Sequence, residues 1–251
     1  MITLERVEDE MPRIVGEAQK QGVLLRVIGG LAVQAHCPSA NHTSLERAYP
    51  DIDLVTPKEQ TRHLDKLMST LGYAADRTFN TLNGDRRQLY YDQARSRQVD
   101  IFIGEFDMAH RIPLSGRLHT EALTVPLAEL FLSKAQIVEL NQKDVLDLLA
   151  LLLDHQVGRC DSETINLAII ADLCSADWGL HTTTSMTLDR LCRVLERNDV
   201  QLDAARRATL YERIHAIQGA MEAAPKTLGW KMRARLGKRM RWYQEVEEVR
   251  R

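Results

Sequence analysis

Asp51 and Asp53 stand two residues apart in Asp51-Ile52-Asp53-Leu54-Val55-Thr56. A strand repeats every two residues, so both carboxylates leave one face while Ile52 and Leu54 point to the other. Two carboxylates this close repel, and one protonates or moves away unless a cation lies between them. An all-oxygen donor set suits magnesium. The alternative is a solvated acidic edge. Asp100 lies inside the apolar run Val99-Asp100-Ile101-Phe102-Ile103. A buried carboxylate needs a partner: a metal shared with Asp51 and Asp53, or a salt bridge to Arg95 or Arg97. Gly29-Gly30 follows the apolar run 23–28 and precedes a short helical pattern. Glycines there admit the close approach of a phosphate, and a helix N-terminus attracts it. The alternative is a plain strand-to-helix turn. No Gly-Lys-Ser/Thr follows, so this is not a P-loop. Lys134 shares a helical stripe with Leu127, Leu130, Phe131 and Val138. An inward lysine calls for an anion, for which a triphosphate is a candidate; otherwise its amine snorkels to water.

The elements that must position these residues fall into two regions. Residues 4–18 carry a helical apolar stripe that Gly22 stops. Runs 23–28, 51–56 and 99–103 read as strands, and Pro57 opens a helix ending near Gly72. Asn83-Gly84, between two strand-like runs in 78–92, predicts a hairpin. Beyond Pro113 the period becomes helical, over 126–140, 143–154, 164–175, 187–197, 204–222 and 231–248. The expected class is an α/β (α+β) core with a mixed sheet over residues 1–115, then an all-helical region over 116–251.

Strand, Gly29-Gly30, helix, then Asp51-x-Asp53 on a strand and Asp100 on a later strand resemble the nucleotidyltransferase superfamily with its polymerase-beta-like core. Lys134 followed by Lys143-Asp144-Val145-Leu146-Asp147 looks like the helical motif of its AbiEii-like branch, which includes toxins of type IV toxin–antitoxin systems. The resemblance covers roughly residues 22–154. Two features depart from it: a 20-residue gap between Gly30 and Asp51, and Tyr49 where a serine is usual between Arg47 and the first aspartate. The resemblance implies transfer of a nucleoside monophosphate from an NTP with two magnesium ions. Asp51, Asp53 and Asp100 would hold the metals, Gly29 and Gly30 would support the phosphates, and Lys134 and Arg47 would neutralise the pyrophosphate. Asp144 would be a supporting residue, although Asp144, Asp147 and Asp154 also fit a solvated acidic edge. Rival readings are a catalytically silent regulator of this fold that binds RNA or a protein, and a sugar-nucleotide glycosyltransferase, which also uses Asp-x-Asp.

The chain of 251 residues has 33 basic and 35 acidic side chains, so it is no polycation, and nucleic-acid binding would need a local patch. Residues 226–251 supply one, with a net charge of +6 against −8 on the rest. Met232, Leu236, Met240 and Tyr243 form a stripe expected to dock that segment. Lys231, Arg233, Arg235, Lys238, Arg239 and Arg241 would then face RNA phosphates or pair with the acidic body. The first residues carry acids and no apolar core, and no apolar run is long enough to span a bilayer, so neither a secretory signal nor a membrane partner is expected. Four cysteines without CxxC spacing suggest free buried thiols in a reducing cytoplasm.

Overall fold

A computed structural model describes residues 3–41 and 44–245. The chain divides into two compact units, each described by itself. One comprises the described residues of 1–35, 48–107 and 113–126, the other those of 36–47, 108–112 and 127–251.

The first unit is built on a mixed sheet. Helix α1 (Val7–Lys20) buries Met11, Ile14, Val15 and Ala18 at helical spacing, and acids in its first turn complement its dipole. Strand β1 (Arg26–Ile28) runs directly into helix α2 (Gly29–His36). Strand β2 (Ile52–Thr56) follows a long loop, and a 3₁₀ segment (Lys58–His63) leads into helix α3 (Leu64–Leu71). The helix expected from Pro57 to Gly72 is thus split in two, and Gly72 closes it in the left-handed conformation. Then come β3 (Ala74–Ala75), helix α4 (Arg77–Asn83), β4 (Arg87–Asp92) and β5 (Arg97–Ile103). The strand order is β1-β2-β5-β4-β3. Only the central β2–β5 pair is parallel among the four strand pairs.

The hairpin expected at Asn83-Gly84 does not form. Two-residue hairpin turns of that type need positive φ, whereas Gly84 has φ −66° and closes α4. Asp76 caps that helix by accepting from the Phe79 amide. The Asn80 side chain accepts from the Leu89 amide and donates to the Leu89 carbonyl, replacing a strand neighbour beside β4. The hairpin lies one strand later, between β4 and β5, with Ser96 at positive φ.

The second unit is nearly all helix, as expected: α5 (Leu127–Ala135), α6 (Gln142–Asp154), α7 (Leu167–Ala176), α8 (Trp178–Arg197), α9 (Ala204–Ala223) and α10 (Leu228–Leu236). Residues Thr164–Asn166, expected to open a helix, instead pair in parallel with Gln156–Gly158. Helix α8 starts nine residues before its expected N-terminus, because Asp177 caps it and Thr183, Thr184 and Thr187 are buried. Thr187 Oγ1 donates to the Ala135 carbonyl.

The expected docking stripe of the last segment is overturned. Met232 is 68% exposed, and Leu236 and Met240 are also exposed. Planar groups anchor the segment instead. Arg233 lies over Trp178 at 4.7 Å, Trp230 meets His181 edge-on at 5.3 Å, and Trp242 Nε1 donates to Thr183 Oγ1 at 3.0 Å. The helix expected over 231–248 ends at Leu236, where Gly237 takes positive φ, and residues 246–251 lie outside the described chain. Cys37 and Cys174 are buried as expected, but Cys160 is exposed. Among the described residues no helix is long and apolar enough to cross a membrane.

Candidate active site

The parallel register of β2 and β5 places Asp53 directly beside Asp100. Paired residues share a face and lie about 4.8 Å apart in the hydrogen-bonding direction. Asp51 immediately precedes β2, and its negative charge acts on Asp100. The sheet therefore pairs Asp53 with Asp100, and Asp51 lies within electrostatic reach of Asp100.

Gly29 belongs to the same cluster. It has φ +76°, and a Cβ placed on it would collide with the Asp53 carboxylate. The turn from β1 into α2 thus requires glycine twice over, for its backbone angle and for the space Asp53 fills. Gly30 is the second residue of α2 and is half-buried.

Asp100 is 3% exposed. Its ion-pair partner is neither Arg95 nor Arg97 but Arg87, across the β4–β5 ladder. Arg87 Nε donates to both carboxylate oxygens, at 2.7 and 2.9 Å, and Nη2 donates to Oδ2. Burial, the larger influence, pushes the Asp100 carboxyl up, and Arg87 pulls the other way. The fork-to-carboxylate geometry is that of an ionised pair. Arg97 points to the opposite face and donates to the carbonyls of Leu4 and Glu5. Arg95 turns to Thr3 and Asp92.

The donor set suits a divalent ion by its chemistry: carboxylate oxygens only, two of them on paired residues of adjacent strands. Among the described residues, no three His, Cys, Asp or Glu side chains are grouped so as to hold a metal ion.

The second unit contains a separate ionic cluster. Lys134 Nζ lies 3.1 Å from Asp144 Oδ1 and 2.9 Å from Asp147 Oδ2. Arg47 grips Asp147 with two bonds, Nε to Oδ1 at 2.7 Å and Nη2 to Oδ2 at 2.6 Å. Lys134 is 12% exposed and Asp147 1%. Burial opposes the charged amine, but Asp147 and Asp144 together outweigh it and hold the Lys134 ammonium above its ordinary range. The anion that an inward lysine requires is therefore present in the chain itself, and the amine does not snorkel. Asp144 and Asp147 are buried, not the solvated edge expected, and Asn141 caps their helix through the Asp144 amide. Asp154 accepts from the Ser39 amide and hydroxyl.

Of the basic residues singled out near the C-terminus, Lys231, Arg235, Lys238, Arg239 and Arg241 are exposed. Arg233 is half-buried and donates to the carbonyls of Gly237 and Met240.

Sequence reasoning missed Arg87. Its signal was the ladder itself: once β4 and β5 pair, Arg87 stands opposite Phe102, two residues along from Asp100 on the same face.

No protein-family model matches the sequence, and no curated protein is similar to it. Solved structures give weak likenesses. A crystal structure of ANT(2'')-Ia in complex with adenylyl-2''-tobramycin is 14% identical, over 57% of this chain and 86% of that one, with a TM-score of 0.40. An antigenic nucleotidyltransferase-like protein from Paracoccidioides brasiliensis is 12% identical, over 91% and 97% of the two chains, with a TM-score of 0.43. A STING-associated CdnE c-di-GMP synthase from Capnocytophaga granulosa is 12% identical, over 86% and 83%, with a TM-score of 0.27. Scores and identities this low assign neither a family nor an activity to this chain.

Proposed function

We propose that the chain is a magnesium-dependent nucleotidyltransferase that moves a nucleoside monophosphate from an NTP to a hydroxyl acceptor. The observation that carries this reading is the alignment of Asp53 with Asp100 across β2 and β5, with Gly29 folded against Asp53. Acidic residues on paired strands beside a glycine turn that opens a helix form a surface suited to a metal–triphosphate.

In this reading Asp51 and Asp53 would hold one divalent ion, and Asp100 would complete the site for a second. Divalent ions there would supply charge compensation for the phosphate oxygens. The chain's own part is positioning and electrostatics. Gly29 and Gly30 let phosphate oxygens approach the backbone at the start of α2. The acceptor oxygen forms a bond to the α-phosphorus, and the bond from that phosphorus to the bridging oxygen breaks. Pyrophosphate leaves, and the hydroxyl proton passes to Asp100 and on to solvent. The acceptor is an RNA 3′ end, a protein hydroxyl or a small molecule.

Incubation with each α-labelled NTP, magnesium and total RNA or lysate tests the reading. The expected result is one labelled product class, absent with Asp53→Asn. Absence of label transfer from every NTP, together with unchanged melting on adding NTP and magnesium, overturns it.

A further inference from the structure

Asp53 and Asp100, paired across β2 and β5, share one face of the sheet with the Arg87 guanidinium. Arg87 bonds both oxygens of Asp100, and the charge of Asp53 also acts on it. The guanidinium is fixed from other directions too. Its carbon lies 5.1 Å from the centroid of the Phe102 ring and 5.9 Å from that of Phe79. Cation–aromatic contacts at such distances favour a charged group held in place. Arg87 sits on β4, between the cap-bound helix α4 and the ladder to β5, so its backbone is fixed as well.

This arrangement answers a problem of charge. Asp100 is almost fully buried, with Asp51 and Asp53 for neighbours, and an ionised carboxylate there needs a positive partner at all times. A soluble ion comes and goes, whereas Arg87 is built in. A carboxylate has about four lone-pair positions. A fork that donates to both oxygens takes those facing Arg87, so an approaching ion meets a carboxylate already engaged.

From this geometry, and resting on the nucleotidyltransferase reading of the same residues, we propose that Arg87 is a built-in cation beside Asp100. It positions Asp100 in the metal-free protein and competes with divalent metal for that carboxylate. Arg87 thereby sets the metal concentration at which Asp100 becomes a ligand. Relatively weak binding of free metal is the consequence, and metal arriving with a triphosphate, whose oxygens add ligands of their own, gains the advantage.

The competition has a sign that a merely structural ion pair lacks. Removing a structural partner loosens Asp100 and weakens metal binding, whereas removing a competitor tightens it. Mn2+ titration by calorimetry or electron paramagnetic resonance, on the full chain without nucleotide, reads this directly. Arg87→Gln is expected to tighten Mn2+ binding on the order of tenfold, the lower end of what one adjacent unit charge does at a carboxylate. Arg87→Lys keeps the charge but loses the fork, and it is expected to fall between wild type and Arg87→Gln. Its milder change also covers the case in which Arg87→Gln does not fold. Mn2+ binding equal to or weaker than wild type in the folded variants overturns the proposal. Asp53→Asn separates the two readings. If it weakens Mn2+ binding while the Arg87 variants fail to tighten it, only the role of Arg87 falls. If it leaves Mn2+ binding unchanged in both backgrounds, the metal-site reading falls, and the role of Arg87 with it.

Discussion

The carboxylate of Asp53 occupies the space where Gly29 would otherwise carry a side chain; Cγ of Asp53 lies 3.2 Å from that position. The glycine and the acid, 24 residues apart in sequence, are thus a single structural element. Gly29→Ala therefore combines strain at positive φ with a collision against a carboxylate, and a loss of about 2–3 kcal/mol is expected. Gly22, at φ +72° with open space around it, is the control. Gly22→Ala meets the strain alone and is expected to cost about 1 kcal/mol. Denaturant midpoints of the two variants check the difference, and equal losses would mean that Asp53 moves aside freely.

Lys134→Met is expected to destabilise the metal-free protein by about 3–5 kcal/mol, because it removes the ammonium that pairs with both buried carboxylates, Asp144 and Asp147. The shape fits, since methionine suits the apolar stripe; the charge does not. Denaturant unfolding without nucleotide measures the loss. If instead stability barely changes and NTP affinity drops, the amine serves the triphosphate.

Glu10 is fully buried, and Arg13, Tyr73 and the Leu4 amide all donate to it. Burial opposes its charge, but those bonds prevail and hold the carboxyl below its ordinary value of 4.5. A depressed acid contributes stability that is complete above the unfolded pKa and is lost as pH falls through the folded one. Wild type should therefore lose stability below about pH 4.5 partly through this residue. Glu10→Gln should be less stable at pH 7 and show a shallower acid limb, measured by unfolding across pH 2.5–7. A parallel acid limb in the variant would assign the acid loss to other carboxylates.

Weak RNA binding that falls steeply with salt is expected through the exposed residues Lys231, Arg235, Lys238, Arg239 and Arg241, with half-buried Arg233 adding to it. Arg235→Gln with Arg239→Gln should shallow the salt slope and leave the melting temperature within about 1 °C, since both side chains are exposed. Filter binding at two salt concentrations provides the check. A drop in melting temperature with RNA binding unchanged would show that these charges pair with the body.

The acidic residues were legible because strand alternation is a local property: Asp51-x-Asp53 and an acid within Val99–Ile103 can be read from a few neighbours. Their alignment was not, because the β2–β5 register depends on residues about 47 apart. The partner of Asp100 was misread for the same reason. Arg95 and Arg97 are near in sequence, yet pleating sends Arg97 to the other face, while Arg87 arrives across a ladder. Asn83-Gly84 misled because a capped helix with Asn80 bonded to Leu89 satisfies the same backbone groups a hairpin would. The threonine-rich start of α8 concealed a helix, since propensity there yields to burial.

The exposed row of Leu228, Met232, Leu236 and Met240 runs among basic side chains. In dilute buffer those like charges oppose the meeting of two such rows. At about 1 M salt the screening length shrinks to about 3 Å, while apolar attraction persists or grows. Colloidal behaviour should therefore run opposite to ordinary handling practice. The high-salt wash that strips nucleic acid from a basic patch is the condition under which this row begins to stick to itself and to apolar resins.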